Sequence, residues 1–313
     1  MLFRSKYTIM KKLPFYTHGG FFHADEVTAY AICELAGVCE KFTRLTSLED
    51  IPQDGIIADI GREYDPDNLK FDHHQGLICR EVEIKGVSFA IKGIPYASAG
   101  MTWDHFGLQC TANLMPQLAG QSAKVRAIVQ RVDETLIQGI DAHDADSAYR
   151  VTATCSSGNV RPITISNIIA GMNTDDISNA AEQDKAFIAA SDLMQSILKS
   201  HIRQAGKFME ACDMFDTVAT IQEQVITLSE GLPWKEIVHE RHPKALFVIS
   251  PSNHPGNPWS MIAVPVDPES REVKKPIERP EWFSGFIHQG KWIAGGSSLE
   301  ELLRLAEWNI KGS

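Results

Sequence analysis

Three short apolar runs in this chain each end in groups that can hold a metal ion. LPFYT is followed at once by His18, DGIIADI carries Asp59 next to its end, and NLKFDHH closes on Asp72, His73 and His74. The last of these sets the strictest limit. Successive side chains point to opposite faces of a strand and lie about 100° apart on a helix, so no single element can aim Asp72, His73 and His74 at one point. A loop leaving a strand can, and Gly76 just beyond suits such a turn. In open α/β sheets, ligands bind in the crevice outside the carboxyl ends of the strands. Three runs ending in acid or imidazole therefore predict a parallel sheet with one crevice at its carboxyl edge.

The rest of the N-terminal part fits that frame. HGGFFHADE reads as a loop and EVTAYAICELAG as a helix, with Val27, Tyr30, Ala31 and Glu34 on one side and Gly37 as its stop. Strands alternating with helices predict an α/β domain whose sheet is mostly parallel. From about Asp175 to Met214 the pattern is long and helical, and a division near this helix separates residues 1–205 from a smaller α+β domain, residues 206–313. In the latter, ALFVIS and SMIAVPV read as strands flanking the turn-rich PSNHPGNP.

Composition excludes several classes. The chain has 313 residues, 43% of them hydrophobic and 22% charged, which is globular rather than disordered. Its net charge is −10 and no run of Lys and Arg appears, so no duplex-DNA binding is expected. No stretch is apolar enough to cross a bilayer. The opening MLFRSKYTIMKK lacks the apolar core of a signal peptide. Cys33, Cys39, Cys79, Cys110, Cys155 and Cys212 form no C-x-x-C pair, which fits reduced thiols in a cytoplasmic setting. A homo-oligomer is compatible with all of this.

The candidate ligands are His18, His23 and Asp25 after the first run, Asp59 after the second, and Asp72, His73 and His74 after the third. A fourth set lies in IQGIDAHDADSA, where Asp141 and Asp144, three apart, share a helix face. Taken singly, each has an ordinary structural use: Asp59 can cap a turn and Asp141 a helix. Taken together, carboxylates and imidazoles without thiolates suit Mn²⁺ first and Mg²⁺ second. There are too many for one divalent ion and enough for two, about 3.5–4 Å apart, a pair that clamps attacking and leaving oxygens in phosphoryl displacement.

The ordered stretches THGGFFHADE, ADIGREYDPD, FDHHQG, SAGMTWDHFG and QGIDAHD, followed by GLPWKE, MIAVPV and FIHQGKWIAGG, resemble the DHH phosphoesterase superfamily. They are most similar to its melanocyte-proliferating-gene exonuclease branch, formerly an uncharacterised protein family, from about Pro14 to Trp308. The resemblance implies a DHH-type metal-dependent phosphoesterase domain with a C-terminal substrate-binding domain, acting as a 3′–5′ exonuclease on single-stranded RNA or short oligonucleotides. It makes His18, His23, Asp25 and His73 ligands, Asp59 the bridging carboxylate, and Asp141 the residue that closes the second metal, with Asp144 as the competing choice. His74 becomes the group on phosphate or leaving group, and Asp72 the one that orients imidazoles. Three departures stand out: Gly19 in place of a carboxylate or amide, Ala24 in place of Cys, and Ala145-Asp146 in place of Asn-Gly.

Near the C-terminus, Ser298 and Glu301 predict a capping box opening a helix with Leu299, Leu302, Leu303 and Ala306 at helical spacing. Gly295 and Gly296 just before it, with His288 and Lys291 upstream, read either as a phosphate-binding turn or as a packed hairpin. The resemblance to a glycine-pair motif favours phosphate, although the His that often follows is missing. Trp234 in GLPWKE is a candidate for base stacking or for the core. Two alternative functions share the catalytic residues or dispense with them: a small-molecule phosphatase or pyrophosphatase with the same two-metal site, and a non-catalytic, metal-stabilised interaction protein.

Overall fold

The computed structural model describes residues 12–76, 78–80, 93–145, 153–155, 158–160 and 162–312. The chain divides into two compact units between Ala205 and Gly206, each built on its own sheet, so the protein is a two-part α/β fold.

The first unit contains β1 (Leu13–His18), α1 (Ala24–Ala36), β2 (Cys39–Leu45), β3 (Ile56–Ala58), β4 (Tyr64–Asp65) and β5 (Lys70–Phe71). The sheet order is β2-β1-β3-β5-β4; β4 alone runs antiparallel to its neighbour. The three strands that end in ligands, β1, β3 and β5, are thus adjacent and parallel, and their carboxyl ends coincide. The strand β2 escapes the sequence reading. Its CEKFTRL carries three charges because it is the sheet edge, exposed on one side. Helix α1 begins at Ala24, so Asp25 and Glu26 belong to its first turn rather than to the loop, where acids complement the helix dipole. It stops as expected at Gly37, in the left-handed region at φ 73°.

Helix α2 (Ser98–Leu114) packs on α1 and β5, α3 (Ser122–Val132) on α2, and α4 (Gln138–Ala145) and α5 (Ile165–Ala170) on α1; a π-helical turn, Asp133–Ile137, joins α3 to α4. A short hairpin, β6 (Ala153–Cys155) with β7 (Gly158–Val160), stands apart. The helix α6 (Ala180–Val218) starts later than its apolar pattern suggested. Phe187 from α6 stacks on Phe42 at 5.0 Å and lies beside Phe22 and Tyr30, closing a core that also holds Phe15, Ile56 and Phe71. Each such fully buried side chain contributes about 1.5–3 kcal/mol.

The second unit has β8 (Ala219–Gln222), β9 (Val225–Leu228), α7 (Lys235–Arg241), β10 (Phe247–His254), β11 (Asn257–Ala263), β12 (Phe286–Ile287), β13 (Ile293–Gly296) and α8 (Leu299–Lys311). The sheet order is β12-β13-β11-β10-β9-β8, antiparallel except for β9 with β10. The hairpin strands run further than the turn-rich PSNHPGNP implied: Pro251 and Pro258 sit inside strands and only Pro255 lies in the turn, with a register shift between Pro251 and His254. Trp234 is buried among Phe215, Ile226 and Val238, so it is core and not a stacking surface. In α8 the buried stripe is Leu302, Leu305 and Ala306, with Leu299 and Leu303 only half-buried. Ser298 caps Glu301 N as expected, but the Glu301 carboxylate reaches back to Ser297, accepting from its backbone N–H and hydroxyl.

Candidate metal centre

The carboxyl ends of β1, β3 and β5 and the first turn of α1 bring their donors within reach of one another. Three overlapping groups form, each with its donor atoms within 4.8 Å: His18, His23, Glu26 and Asp59; Asp59, His73 and His74; and Asp25, His73 and Asp144. Asp59 connects the first two. Its Oδ2 is 3.3 Å from His18 Nε2, and its Oδ1 is 3.4 Å from His73 Nε2. The residue itself is held at φ 57°, a left-handed conformation rarely adopted by non-glycine residues.

Surrounding groups fix the aim of each ligand. Asp25 Oδ1 accepts from Ala99 N at 2.6 Å and its Oδ2 from Ser98 N at 2.9 Å, so the first turn of α2 orients it. His18 Nδ1 lies 3.0 Å from the Gly19 carbonyl, which turns Nε2 toward Glu26 and Asp59. His73 Nε2 is 3.2 Å from Asp144 Oδ2 and 3.9 Å from Asp25 Oδ2. Asp72 is buried and accepts from Arg62 N, from His74 N and, at 2.7 Å, from His74 Nδ1, so it orients His74 and stands outside the donor groups.

The electrostatics describe a site short of positive charge. Burial opposes a charge on His18, but Asp59 and Glu26 outweigh it and push the imidazole up to about 11. Burial opposes His73 likewise, and Asp144 and Asp59 push it up to about 11. Burial would raise Asp59, yet His18 and His73 draw it down to about 2. Burial, with Asp59 and Asp144 nearby, holds Asp25 well above the carboxylate range, and burial also raises Glu26. Asp59 Oδ1, Glu26 Oε2 and His73 Nε2 are buried without a hydrogen-bond partner among the described residues. Orphaned donors and acceptors of this kind are rare in folded proteins, and here Asp59 Oδ1 and His73 Nε2 lie 3.4 Å apart. The set fits divalent cations, which would supply the positive charge and coordinate those atoms.

Of the residues expected at the site, His18, His23, Asp25, Asp59, His73, His74 and Asp144 come together. Asp141 does not. It is wholly buried, where it accepts from Arg80 at 2.6 Å and from Gly100 N at 2.9 Å. Arg80 also forks onto Asp133 and lies over the Tyr96 ring. The two oxygens of Asp141 are engaged by a guanidinium and a backbone N–H, and Asp144, one helical turn on, is the α4 residue that faces His73. The Ala145-Asp146 departure lies partly outside the described residues.

Glu26 is the member of the donor groups missed from the sequence, although the motif quoted as THGGFFHADE contains it. Its Oε1 sits 3.1 Å from His18 and accepts the His23 backbone N–H. Arg80 and Gly100 are also missed, since neither lies in a strand-end pattern. A β-carbon on Gly100 would overlap the Asp141 carboxylate and lie 2.6 Å from the Arg80 guanidinium.

His288, Gly295 and Gly296 belong to the second unit, and the glycines are not a free turn. They end β13, paired with Ser260 and Trp259 of β11. A β-carbon on Gly295 would press on Asn257 at 2.9 Å, and one on Gly296 on Leu302 at 2.9 Å. His288 sits at the far end of the hairpin, its N–H bonded to the Ile293 carbonyl. With about 3.3 Å per strand residue, roughly 10 Å of β13 separates it from Gly296, so the three do not converge on one phosphate.

A parallel-sheet crevice lined by carboxylates and imidazoles around one shared aspartate defines an α/β protein with a centre suited to divalent cations. The family is shown by sequence: residues 15–310 match the model of the MYG1 exonuclease family, described as an uncharacterised protein family (UPF0160), and the chain belongs to it. MYG1 exonuclease of Mus musculus is 25% identical, over 93% of this chain and 83% of its own. MYG1 exonuclease of Homo sapiens is 24% identical, over 97% and 87%. The MYG1 protein of Chlamydia trachomatis is 25% identical, over 95% and 92%. A solved Vibrio pGpG-specific phosphodiesterase aligns over 95% of this chain and 97% of its own at 12% identity, with a TM-score of 0.28, too low to define a common arrangement.

Proposed function

We propose that the protein is a phosphoester hydrolase of the DHH type that uses two divalent cations, Mn²⁺ or Mg²⁺, to trim single-stranded RNA or short oligonucleotides from the 3′ end. The observation that carries this is Asp59, one carboxylate offered to His18 through one oxygen and to His73 through the other. Two relatives named exonucleases, matched over most of their length, support a nucleic acid or oligonucleotide as substrate. A cytoplasmic setting belongs to the same proposal, resting on cysteine spacing; among the described residues no helix is long and apolar enough to cross a membrane.

Two groups of residues divide the work. His18, His23, Glu26 and Asp59 would hold one cation, and Asp59, His73, Asp25 and Asp144 the other. When bound, such a pair supplies a nucleophile at neutral pH and neutralises charge on the transferring phosphoryl group. His74 is exposed, and with Nδ1 taken by Asp72 its Nε2 is the nitrogen available to a phosphate or leaving oxygen. There it can donate the proton that the departing sugar oxygen requires. Asp72, bonded to Nδ1, fixes the orientation of the ring for that transfer.

The test is a Mn²⁺-dependent assay on labelled single-stranded RNA, single-stranded DNA, dinucleotides and pyrophosphate, with Asp59→Asn alongside. Stepwise shortening of RNA from the 3′ end, abolished in Asp59→Asn, is the expected outcome. Turnover confined to pyrophosphate would replace the exonuclease with a small-molecule phosphatase. Metal binding without any turnover would leave a metal-stabilised interaction protein.

A further inference from the structure

The second unit contains a cavity of about 420 Å³ that the metal-centred chemistry leaves unused. Its walls are apolar, with Ile262 from β11, Pro265, Val273 and the indole of Trp292, and its cations are Lys235 and Arg271. That volume lies within the usual range for a small-molecule site, as does an apolar lining with a few polar groups.

Charge singles the cavity out. The protein carries a net charge of −10, yet no Asp or Glu lines this space. Both cations are exposed, and no ion pair or hydrogen bond among the described residues occupies Lys235 or Arg271. Other cations of this unit are engaged, as Lys291 is with Glu278 and Arg241 with Asp216. Two uncommitted cations beside an apolar wall select a ligand with an anionic end and a flat apolar body.

The wall is aromatic and open. Trp292 is 41% exposed and Phe286 49%, although residues of this size are usually covered. His288 lies between them, its ring 5.3 Å from Trp292 and 6.5 Å from Phe286. Phe286 opens the edge strand β12 and His288 follows it, so the rings form a row along a sheet edge. Successive bases of a single strand stack on such rows, and the contact tolerates any base because each has a π-face. The cavity is also distinct from the glycine pair. Trp292 precedes β13 and Gly296 ends it, about 13 Å along the strand.

We propose that this cavity binds a nucleotide unit, with the base on the Trp292 indole, the phosphate between Lys235 and Arg271, and the neighbouring base toward His288 and Phe286. The proposal rests on the phosphodiesterase reading for its choice of nucleotide over other aromatic anions.

The test uses the full chain with EDTA, which stops hydrolysis while binding is measured. The probes are a labelled ten-residue single-stranded RNA, adenosine monophosphate and inorganic phosphate. Trp292→Ala should weaken RNA binding about tenfold, and Trp292→Phe should keep it within about threefold, because a phenyl ring still stacks. The double variant Lys235→Gln, Arg271→Gln should reduce the slope of log affinity against log salt by about 1.4, two phosphate contacts' worth on a single strand. Loss of adenosine monophosphate binding in parallel would assign the site to free nucleotides as well. Loss confined to RNA would assign it to a nucleotide within a strand. The proposal is overturned if Trp292→Ala and the double variant bind both nucleotides within twofold of the unmodified protein at an unchanged salt slope. Inorganic phosphate binding equal to that of adenosine monophosphate would also overturn it, since the base would then contribute nothing. Hydrolysis of a small chromogenic phosphodiester in Mn²⁺, run in parallel, should be unchanged in these variants. Its absence from the unmodified protein would remove the phosphodiesterase reading and leave the binding result to stand alone.

Discussion

Arg80 places its guanidinium 2.6 Å from the buried carboxylate of Asp141, and that pair anchors α4 to the start of α2. Removing one partner of a buried pair leaves an uncompensated charge, at about 3–5 kcal/mol. Arg80→Ala should therefore lose stability on that scale in urea, with or without Mn²⁺. The loss should depend on pH in a defined direction. Burial raises Asp141 to about 7 despite Arg80, against an ordinary 3.8, so its protonated form favours the fold fully below 3.8 and that contribution fades as pH rises through 7. Without Arg80 the carboxyl climbs further, and the deficit should widen from pH 5 to pH 9. A deficit independent of pH would mean that Asp141 does not sense Arg80.

Asp141→Asn and Asp144→Asn should separate the two roles. Asp144→Asn removes a carboxylate 3.2 Å from His73 and should weaken binding at one of two Mn²⁺ sites by about 10- to 100-fold, with little change in melting temperature. Asp141→Asn should do the reverse. The measurement is Mn²⁺ titration by calorimetry beside thermal melts of the metal-free variants. Equal metal losses in both would return Asp141 to the ligand shell.

The sequence could show the crevice because its ligands come in runs: a strand, then His or Asp, three times over. Adjacency in the sheet follows from β1, β3 and β5 being parallel neighbours, and the ligand-bearing turns lie where expected. The choice between Asp141 and Asp144 was not legible, because it depends on Arg80, 61 residues upstream of Asp141, reaching one and not the other. Spacing i to i+3 gives both a common face but does not say which already has a partner. Glu26 was hidden for a different reason. An acid in the first turn of a helix already has an ordinary use with the dipole. Gly295 and Gly296 stay ambiguous between a phosphate-binding turn and a packed hairpin, since glycine signals permissive backbone and close packing alike, and only Asn257 and Leu302 decide between them.

Metal affinity should keep rising well above the ordinary imidazole range. His18 and His73 sit up to about 11 in the metal-free protein, so cations must displace their protons. Apparent Mn²⁺ affinity should increase from pH 6 through pH 9, with proton release that calorimetry in buffers of different ionisation enthalpy can count. A plateau above pH 7 would refute the raised imidazoles. In the metal-free protein, the His contribution to stability is present below 6.5 and lost as pH rises through about 11, whereas that of Asp59 is present above 3.8 and lost as pH falls through about 2.

Gly296→Ala should act on folding before it acts on any ligand. The added methyl meets Leu302 in the core under α8, and overpacking of this kind costs about 1–3 kcal/mol. Melting temperature should fall while chromogenic diester hydrolysis at low temperature stays intact. An unchanged melting curve with weakened oligonucleotide binding would instead restore the glycine pair as a phosphate contact.

Glu26→Gln tests the proposed metal donor that sequence left out. The amide keeps the size and can still accept from His23 N, but it lacks the charge that faces His18 and leaves a buried NH2 group in its place. Because Glu26 belongs to the His18 group and not to the His73 group, only one of two Mn²⁺ affinities should fall, by about 10- to 100-fold. The loss should be partly recovered at high Mn²⁺, since the second group is intact. Asp59→Asn, which touches both groups, should weaken both affinities together and resist such recovery. If Glu26→Gln instead binds two Mn²⁺ as tightly as the unmodified protein, the glutamate is only a partner of His18, and that group must be completed by His23 and Asp59 alone.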